Sequence, residues 1–209
     1  MNGSPVTWTN ANLVAVDLEG SGAQDRDDEA ILEVALVPLV AGLPHLTDSF
    51  ETLINPQRPI GRHPWLSPGL TNAALNQAPT INEVAQRLTD MINGRYLVGH
   101  NVAVDWRLIK RRVPDLAPAG LIDTLRLARA VGASRRSLTV LLDDLSLTRD
   151  IYAIVPGGQP HRALWDATAC AILLPALVQR HWGRTPSTTE LLAAAGIPTT
   201  DATSQPALF

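Results

Sequence analysis

A short apolar run that ends in two acids and a glycine-rich turn, residues 14–22 (VAVDLEGSG), constrains the fold most. Side chains two positions apart in a β-strand point to the same face. We therefore expect Asp17 and Glu19 to lie together at the carboxyl end of a buried strand, beside glycine backbone that a ligand can approach closely. Two such carboxylates repel each other unless a cation lies between them, and oxygen ligands suit Mg²⁺ or Mn²⁺. The alternative for this stretch alone is a strand end with two solvated acids.

Two later stretches carry further candidate site residues. Asp105 lies in the first turn of a predicted helix that follows a strand, where α/β folds tend to place their sites. His161 ends a loop rich in glycine and proline, and Asp166 lies in the apolar helix that follows. A buried acid is costly unless it is paired or bound to metal. The alternatives are that Asp105 stabilises the helix N-terminus and that a neighbouring arginine pairs with Asp166.

The order of the predicted elements indicates an α/β fold with a sheet of mixed direction. Strands are predicted at residues 13–18, 31–40, 47–54, 96–99 and 121–123, and helices at 80–92, 102–113, 124–130, 137–145 and 163–181. The second and third strands are expected to form an antiparallel hairpin, and residues 57–69 to form a loop. Pro175 is expected to kink or locally break the last helix. Residues 1–182 are predicted to form one domain and residues 183–209 a polar tail with at most one short helix.

Composition and charge limit the class of protein and the kinds of partner that we expect. The chain is 45% hydrophobic and 18% charged, which is ordinary for a globular protein, and its formal net charge is −3. Because nucleic-acid-coating proteins are usually basic, a nucleic-acid partner would need a local patch. The candidates for such a patch are Arg107, Lys110, Arg111, Arg112, Arg135 and Arg136. The alternative is an ordinary solvated helix face. Cys170 is the only cysteine, which fits a reducing cytoplasm. We expect neither a signal peptide nor a membrane span.

Three motifs together resemble those of the DEDDh 3′–5′ exonucleases, a DnaQ-like family with a ribonuclease H-like fold that includes proofreading epsilon subunits of bacterial DNA polymerase III. The motifs are DLE at 17–19, HNVAVD at 100–105 and HRALWDA at 161–167. A histidine five residues before the last aspartate marks the h subclass. The y subclass has tyrosine four residues before that aspartate, where this chain has Arg162. The resemblance implies a sheet of three antiparallel strands followed by parallel strands, flanked by helices.

The resemblance also implies a chemistry. Asp17, Glu19, Asp105 and Asp166 would hold two Mg²⁺ or Mn²⁺ ions, and His161 would be the general base. Two ions can stabilise both the attacking and the leaving oxygen of a phosphodiester, and an imidazole can accept a proton near neutral pH. The substrate would be the 3′ end of single-stranded DNA, and the product a nucleoside 5′-monophosphate.

The residues implied to seat the terminal nucleotide are less typical of the family. They are Leu18, Gly20, Ser21, Trp65, Leu70, His100 and Asn101. Gly20 stands where threonine is common, residues 68–70 (PGL) stand where the family often has HGI, and Val104 replaces a common aromatic residue. Leu70 or Trp65 could wedge or stack the terminal bases. The alternative for Trp65 is a packing residue at the sheet edge.

The last five residues, QPALF, resemble the short peptide by which bacterial polymerases and repair proteins dock on the sliding clamp. Gln205, Leu208 and Phe209 would bind, although Pro206 departs from the pattern. The alternative is a C-terminus that folds back on the core. Besides a proofreading exonuclease that works with a polymerase, two other functions stay open. One is an exoribonuclease, because reading the 2′-OH depends on pocket detail, and the other is a catalytically silent nucleic-acid-binding module.

Overall fold

A seven-stranded mixed sheet forms the centre of the computed structural model, which describes residues 6–22, 28–61 and 66–199. The strands are β1 (Leu13–Gly20), β2 (Ile31–Val40), β3 (Leu43–Pro44), β4 (Phe50–Leu53), β5 (Tyr96–Gly99), β6 (Gly120–Asp123) and β7 (Gly196–Ile197). The helices are α1 (Asn72–Leu75), α2 (Ile81–Ile92), α3 (Ala103–Arg112), α4 (Thr124–Ala130), α5 (Leu138–Asp144), α6 (Thr148–Ile154), α7 (Ala163–Trp182) and α8 (Thr188–Ala195). No helix in these ranges is long and apolar enough to cross a membrane.

The sheet has the order β3-β2-β1-β5-β6-β7, and β4 also pairs with β2. β1 runs antiparallel to β2 and parallel to β5, and β5 runs parallel to β6. This arrangement confirms the predicted ribonuclease H-like sheet, in which antiparallel strands are followed by parallel ones. The carboxyl ends of β1, β5 and β6 consequently lie at the same edge, where α3 and α4 begin.

Helices cover both faces of the sheet, so β1 and β2 are apolar on both sides. In β1, Leu13 and Ala15 belong to the core on the side of α7, whereas Val14 and Val16 belong to the core on the side of α2 and α3. Because side chains alternate along a strand, Asp17 and Glu19 continue the face that is turned toward α7.

The predicted antiparallel pairing of the second and third strands is observed, because β4 runs antiparallel to β2, but the connection between them differs from the predicted simple loop. β2 turns back through Ala41 and Gly42, which have φ angles of 52° and 81°, into the two-residue strand β3. Positive φ at both central residues is what a tight two-residue hairpin requires. A short 3-10 turn at Leu46–Asp48 precedes β4, so the strand predicted at 47–54 is shorter than expected.

Two expectations about the C-terminal half also change. α7 is continuous for 20 residues through Pro175, so the expected local break is not observed. Residues 187–197 belong to the packed domain, because Ser187 and Glu190 form a capping box for α8, Leu191 is fully buried and β7 pairs with β6. The packed domain therefore extends beyond residue 182, and the predicted start of the tail at residue 183 is wrong. Residues 200–209 lie outside the described residues.

Candidate active site

Three of the predicted ligands form a cluster between β1 and α7. Asp17 and Glu19 reach it from β1 and Asp166 from the first turn of α7, and each offers a carboxylate oxygen within 4.8 Å of the others. The predicted pairing of Asp17 with Glu19 on one face of the strand is thus observed. Asp166 completes the group because α7 packs on that face.

Asp105 joins this edge from the first turn of α3, directly after β5. Its Oδ1 accepts a hydrogen bond from the Leu18 backbone N–H at 3.1 Å, which ties the start of α3 to the end of β1. The negative charge of Asp105 raises the pKa of Asp17. All four acids therefore lie in one small region at the carboxyl ends of the central strands.

The acidic cluster is electrostatically unfavourable by itself. Burial, followed by repulsion from Asp105, Asp166 and Glu19, raises the pKa of Asp17 well above its ordinary value. Burial is also the largest cause that raises the pKa of Asp105 to about 8 and that of Asp166 to about 7. A divalent cation would relieve this repulsion, so the donor set fits Mg²⁺ or Mn²⁺.

These pKa values predict how the metal-free protein responds to pH. Between pH 3.8 and about 7 the unfolded Asp166 is ionised while the folded carboxyl holds its proton. The unfolded state then binds fewer protons, so the contribution of Asp166 to the free energy of unfolding falls across this window and levels off above it. Denaturation in the presence of a chelator should show that Asp166→Asn gains stability relative to wild type as the pH rises. The matched variant of an exposed acid, Asp115→Asn, should not.

His161 is exposed at the end of the loop that precedes α7. Its backbone N–H donates to Asp166 Oδ2 at 2.9 Å, and its φ angle is +64°. This backbone hydrogen bond places His161 directly beside Asp166 and hence at the acidic cluster. The structure thus brings together all five residues to which the motifs assign catalytic roles.

A serine in the long loop after β4 forms a hydrogen bond to the acidic cluster. No pattern in the sequence predicts this contact. Ser67, which is 5% exposed, donates its hydroxyl to Glu19 Oε2 at 2.7 Å. This hydrogen bond opposes the rise in the Glu19 pKa that burial causes. Ser67 thereby orients Glu19 and favours its ionised, metal-binding form.

Removing this hydroxyl should weaken metal binding. Mutation of a residue that orients a metal ligand typically lowers the metal affinity 10- to 100-fold. We expect Ser67→Ala to bind Mn²⁺ about tenfold more weakly in calorimetric titrations. Ser49→Ala is the matched control, because the Ser49 hydroxyl donates to the Leu46 carbonyl at 2.7 Å. An affinity equal to wild type would show that Ser67 has no such role.

An ion pair between a buried acid and a partly exposed arginine lies beside the histidine loop. Arg162 donates from Nε to both carboxylate oxygens of Glu33, at 3.1 and 2.9 Å, and Glu33 is 1% exposed. The sequence does carry a signal for Glu33, because an acid within the apolar strand ILEVALVPLV needs a buried partner. The identity of that partner, 129 positions away, could not be read from the chain.

Several residues predicted to seat the nucleotide are engaged within the protein. Ser21 and Leu70 are 1% and 3% exposed, and Ser21 accepts the Ala30 N–H at 3.0 Å. The backbone N–H of Asn101 donates to Asp123 Oδ1 at 2.9 Å. Leu18 and Gly20 are half-buried at the end of β1. Trp65 lies outside the described residues, and the substrate contacts of this group stay predictions.

Both ring nitrogens of His100 have partners in the protein. They lie 2.9 Å from Thr124 Oγ1 and 2.7 Å from the Arg136 carbonyl. Because a carbonyl only accepts, Nε2 carries the proton that it donates to Arg136. Burial lowers the pKa of His100, which favours the neutral ring. These contacts tie the loop before α5 to the end of β5.

The candidate basic patch is partly engaged in internal contacts. Lys110 donates to the Leu116 carbonyl at 2.9 Å, and Arg112 donates to the Glu29 carbonyl. Arg107 lies 4.0 Å from a carboxylate oxygen of Glu29, and Arg135 pairs with Asp144 at 2.9 Å. A role of these residues in holding nucleic acid stays a prediction.

The sheet and its acidic edge define a ribonuclease H-like nuclease, and comparison with known proteins gives the family. The Exonuclease family model, RNase_T, matches residues 14–174. The chain therefore belongs to this exonuclease family, and the predicted DEDDh, DnaQ-like membership is confirmed, as is the prediction of an enzyme.

The individual relatives are similar over most of this chain. A DNA polymerase III subunit epsilon-like protein of Rhodobacter capsulatus is 32% identical over 177 residues, 80% of this chain. The DNA polymerase III subunit epsilon of Aquifex aeolicus is 29% identical over 185 residues, which cover 83% of each protein. The solved structure of Exonuclease X in complex with 5′-overhanging duplex DNA superimposes with a TM-score of 0.62 at 25% identity, covering 86% of this chain and 98% of that one.

Some relatives are much longer than the matched region. The chain spans 24% of the Rhodobacter protein and 18% of the 3′–5′ exonuclease DinG of Bacillus subtilis, to which it is 26% identical. Similarity to these relatives thus concerns only a part of the length of each.

Proposed function

We propose that the chain is a metal-dependent 3′–5′ exonuclease that hydrolyses phosphodiesters at the 3′ end of single-stranded DNA and releases nucleoside 5′-monophosphates. The observation that carries the proposal is the convergence of four acids and an exposed histidine at one sheet edge, with carboxylates of three acids within 4.8 Å of one another. Relatives named epsilon subunit and 3′–5′ exonuclease support the direction of cleavage.

Asp17, Glu19, Asp105 and Asp166 would hold two Mg²⁺ or Mn²⁺ ions, since bound cations relieve the repulsion among the ionised carboxylates. Such ions, when bound, stabilise the charge that develops on the attacking and leaving oxygens. His161 accepts the proton of the attacking water, for which its exposure and its position beside Asp166 suit it. The Asp166 carboxylate accepts the His161 N–H and so holds the loop in place.

We favour DNA over RNA as the substrate because the similar proteins named above are DNA polymerase subunits and a nuclease in complex with DNA. Proofreading or repair beside a DNA polymerase would follow from the same similarity. A cytoplasmic location belongs to the same proposal, and the buried, unpaired thiol of Cys170 is compatible with it.

A side-by-side assay tests the proposal. Single-stranded DNA and RNA oligomers of one sequence, labelled once at the 5′ and once at the 3′ end, are incubated with Mg²⁺ or Mn²⁺. We expect early release of labelled mononucleotide from the 3′-labelled DNA only. Preference for RNA would favour the exoribonuclease, and cleavage of neither strand, despite binding, would favour the silent module.

We also propose that the C-terminal peptide binds a sliding clamp through Gln205, Leu208 and Phe209, which lie outside the described residues. The support is the sequence QPALF together with the polymerase subunits among the similar proteins. A bacterial clamp should retain the full chain on a column and lose the variant Leu208→Ala/Phe209→Ala. Equal retention of both would refute the docking.

A further inference from the structure

The ion pair of Glu33 and Arg162 holds together three segments around the acidic cluster. Glu33 lies on β2 directly opposite Glu19 of β1. Its Oε2 accepts both the Arg162 side chain and, at 3.2 Å, the backbone N–H of Ala163, the first residue of α7. A Cβ on Gly69 would lie 3.5 Å from Arg162 Nη1, so the guanidinium also faces the loop that carries Ser67.

The ion pair fixes the relative orientation of the Glu33 carboxylate and the Arg162 guanidinium. Arg162 uses Nε and Nη2 on the two oxygens of one carboxylate, and such a two-pronged contact fixes the orientation of both groups. Glu33 is buried and Arg162 is 30% exposed, and ion pairs contribute little net stability at either extreme of burial. The benefit of this pair therefore lies in orientation rather than in stability.

The residue that this orientation controls is His161. Its φ angle of +64° is unfavourable for a residue that carries a Cβ and persists only where neighbouring contacts impose it. The backbone hydrogen bond to Asp166 holds His161 on the side of α7. The next residue, Arg162, is held against β2 by Glu33, so the histidine lies between two fixed points.

We propose that Glu33 and Arg162 are positioning residues, which hold the His161 imidazole where it can accept the proton of the attacking water. The inference rests on the proposed function, in which His161 is the general base. Neither residue needs to touch the substrate. Loss of the pair should thus lower kcat and leave substrate binding unchanged.

Kinetics of Arg162 variants test this role. We expect Arg162→Met to lower kcat by about 10- to 100-fold while KM changes by less than about twofold, because a displaced catalytic group costs rate rather than affinity. Arg162→Lys should lose nearly as much, since lysine keeps the charge but not the two-pronged geometry. An unchanged kcat in Arg162→Met, a full rate in Arg162→Lys, or a rise in KM alone would each overturn the proposal.

Combination with a histidine variant shows whether Arg162 acts through His161. In the His161→Asn background, Arg162→Met should change kcat by less than about twofold, because groups that act as one unit are not additive. A further loss equal to that in the wild-type background would overturn the proposal.

Amide hydrogen exchange separates this inference from the proposed function. The His161 and Ala163 N–H groups should exchange faster in Arg162→Met than in wild type. This measurement requires no substrate and no activity. If wild type releases no nucleotide, the proposed function fails, and unchanged exchange of these two amides would overturn the positioning role independently.

Two further variants separate positioning from loss of folding. Glu33→Leu/Arg162→Leu should melt near the wild-type temperature because no charge is left buried and unpaired, yet kcat should stay low. Recovery of kcat together with the melting temperature would overturn the proposal. Arg184→Met removes an arginine–glutamate pair at the other end of α7 and should leave kcat unchanged; a matching loss there would show that the effect is not specific to Arg162.

Discussion

Asp17→Asn is expected to lower the rate of nucleotide release by about 10³-fold or more, because bound divalent ions contribute several kcal/mol of transition-state stabilisation and each 1.36 kcal/mol is tenfold in rate. The same substitution should make the metal-free protein more stable. Burial and repulsion by Asp105, Asp166 and Glu19 raise the pKa of Asp17, so a neutral amide of the same size removes an unfavourable charge.

The opposite signs of these two effects make the experiment specific. Release of nucleotide from 3′-labelled DNA measures the first effect, and thermal denaturation in chelator at pH 8 measures the second. Mn²⁺ should stabilise wild type and stabilise Asp17→Asn much less. Asp115→Asn changes an exposed acid and should match wild type in all three measurements. Near-wild-type release by Asp17→Asn would contradict the assignment of the site.

Local patterns placed the candidate acids because each lies in a regular element or directly beside one, whereas the resemblance of the three motifs to a known family implied the catalytic roles of these acids and of His161. The two-residue period of a strand places Asp17 and Glu19 on one face, and the apolar neighbours of Asp166 exclude a fully solvated position. The order of strands and helices then brings Asp105 to the same edge. The α/β class with a mixed sheet followed from the same patterns, and the ribonuclease H-like arrangement followed from the resemblance.

The supporting contacts could not be predicted, because they join residues far apart in sequence through irregular segments. Ser67 reaches Glu19 across 48 positions from a loop, and Arg162 reaches Glu33 across 129. His100 shows the reverse case, since a motif position expected to face the substrate has both ring nitrogens engaged by Thr124 and Arg136. Tertiary contacts of this kind decide how freely a side chain near the site can meet a ligand.

His161→Asn is expected to lower kcat by about 10²- to 10⁴-fold, the range that general acid–base catalysis contributes. Asparagine tolerates the left-handed backbone that His161 adopts, with φ at +64°, better than most residues do. It also keeps the backbone N–H that Asp166 accepts. The variant therefore removes the imidazole while the loop and the acidic cluster keep their geometry, which an alanine at this φ would do less well.

Metal binding distinguishes a proton acceptor from a ligand at this position. Because the structure groups Asp17, Glu19 and Asp166 without the histidine ring, His161→Asn should bind Mn²⁺ with an affinity within about threefold of wild type, a difference of under 1 kcal/mol. Single-turnover release from 3′-labelled DNA measures the chemical step, and calorimetric titration measures the metal. A wild-type rate would exclude His161 as the base. A lowered rate that saturating Mn²⁺ restores would instead make the imidazole a metal ligand, because the four carboxylates would then hold the ions incompletely without it.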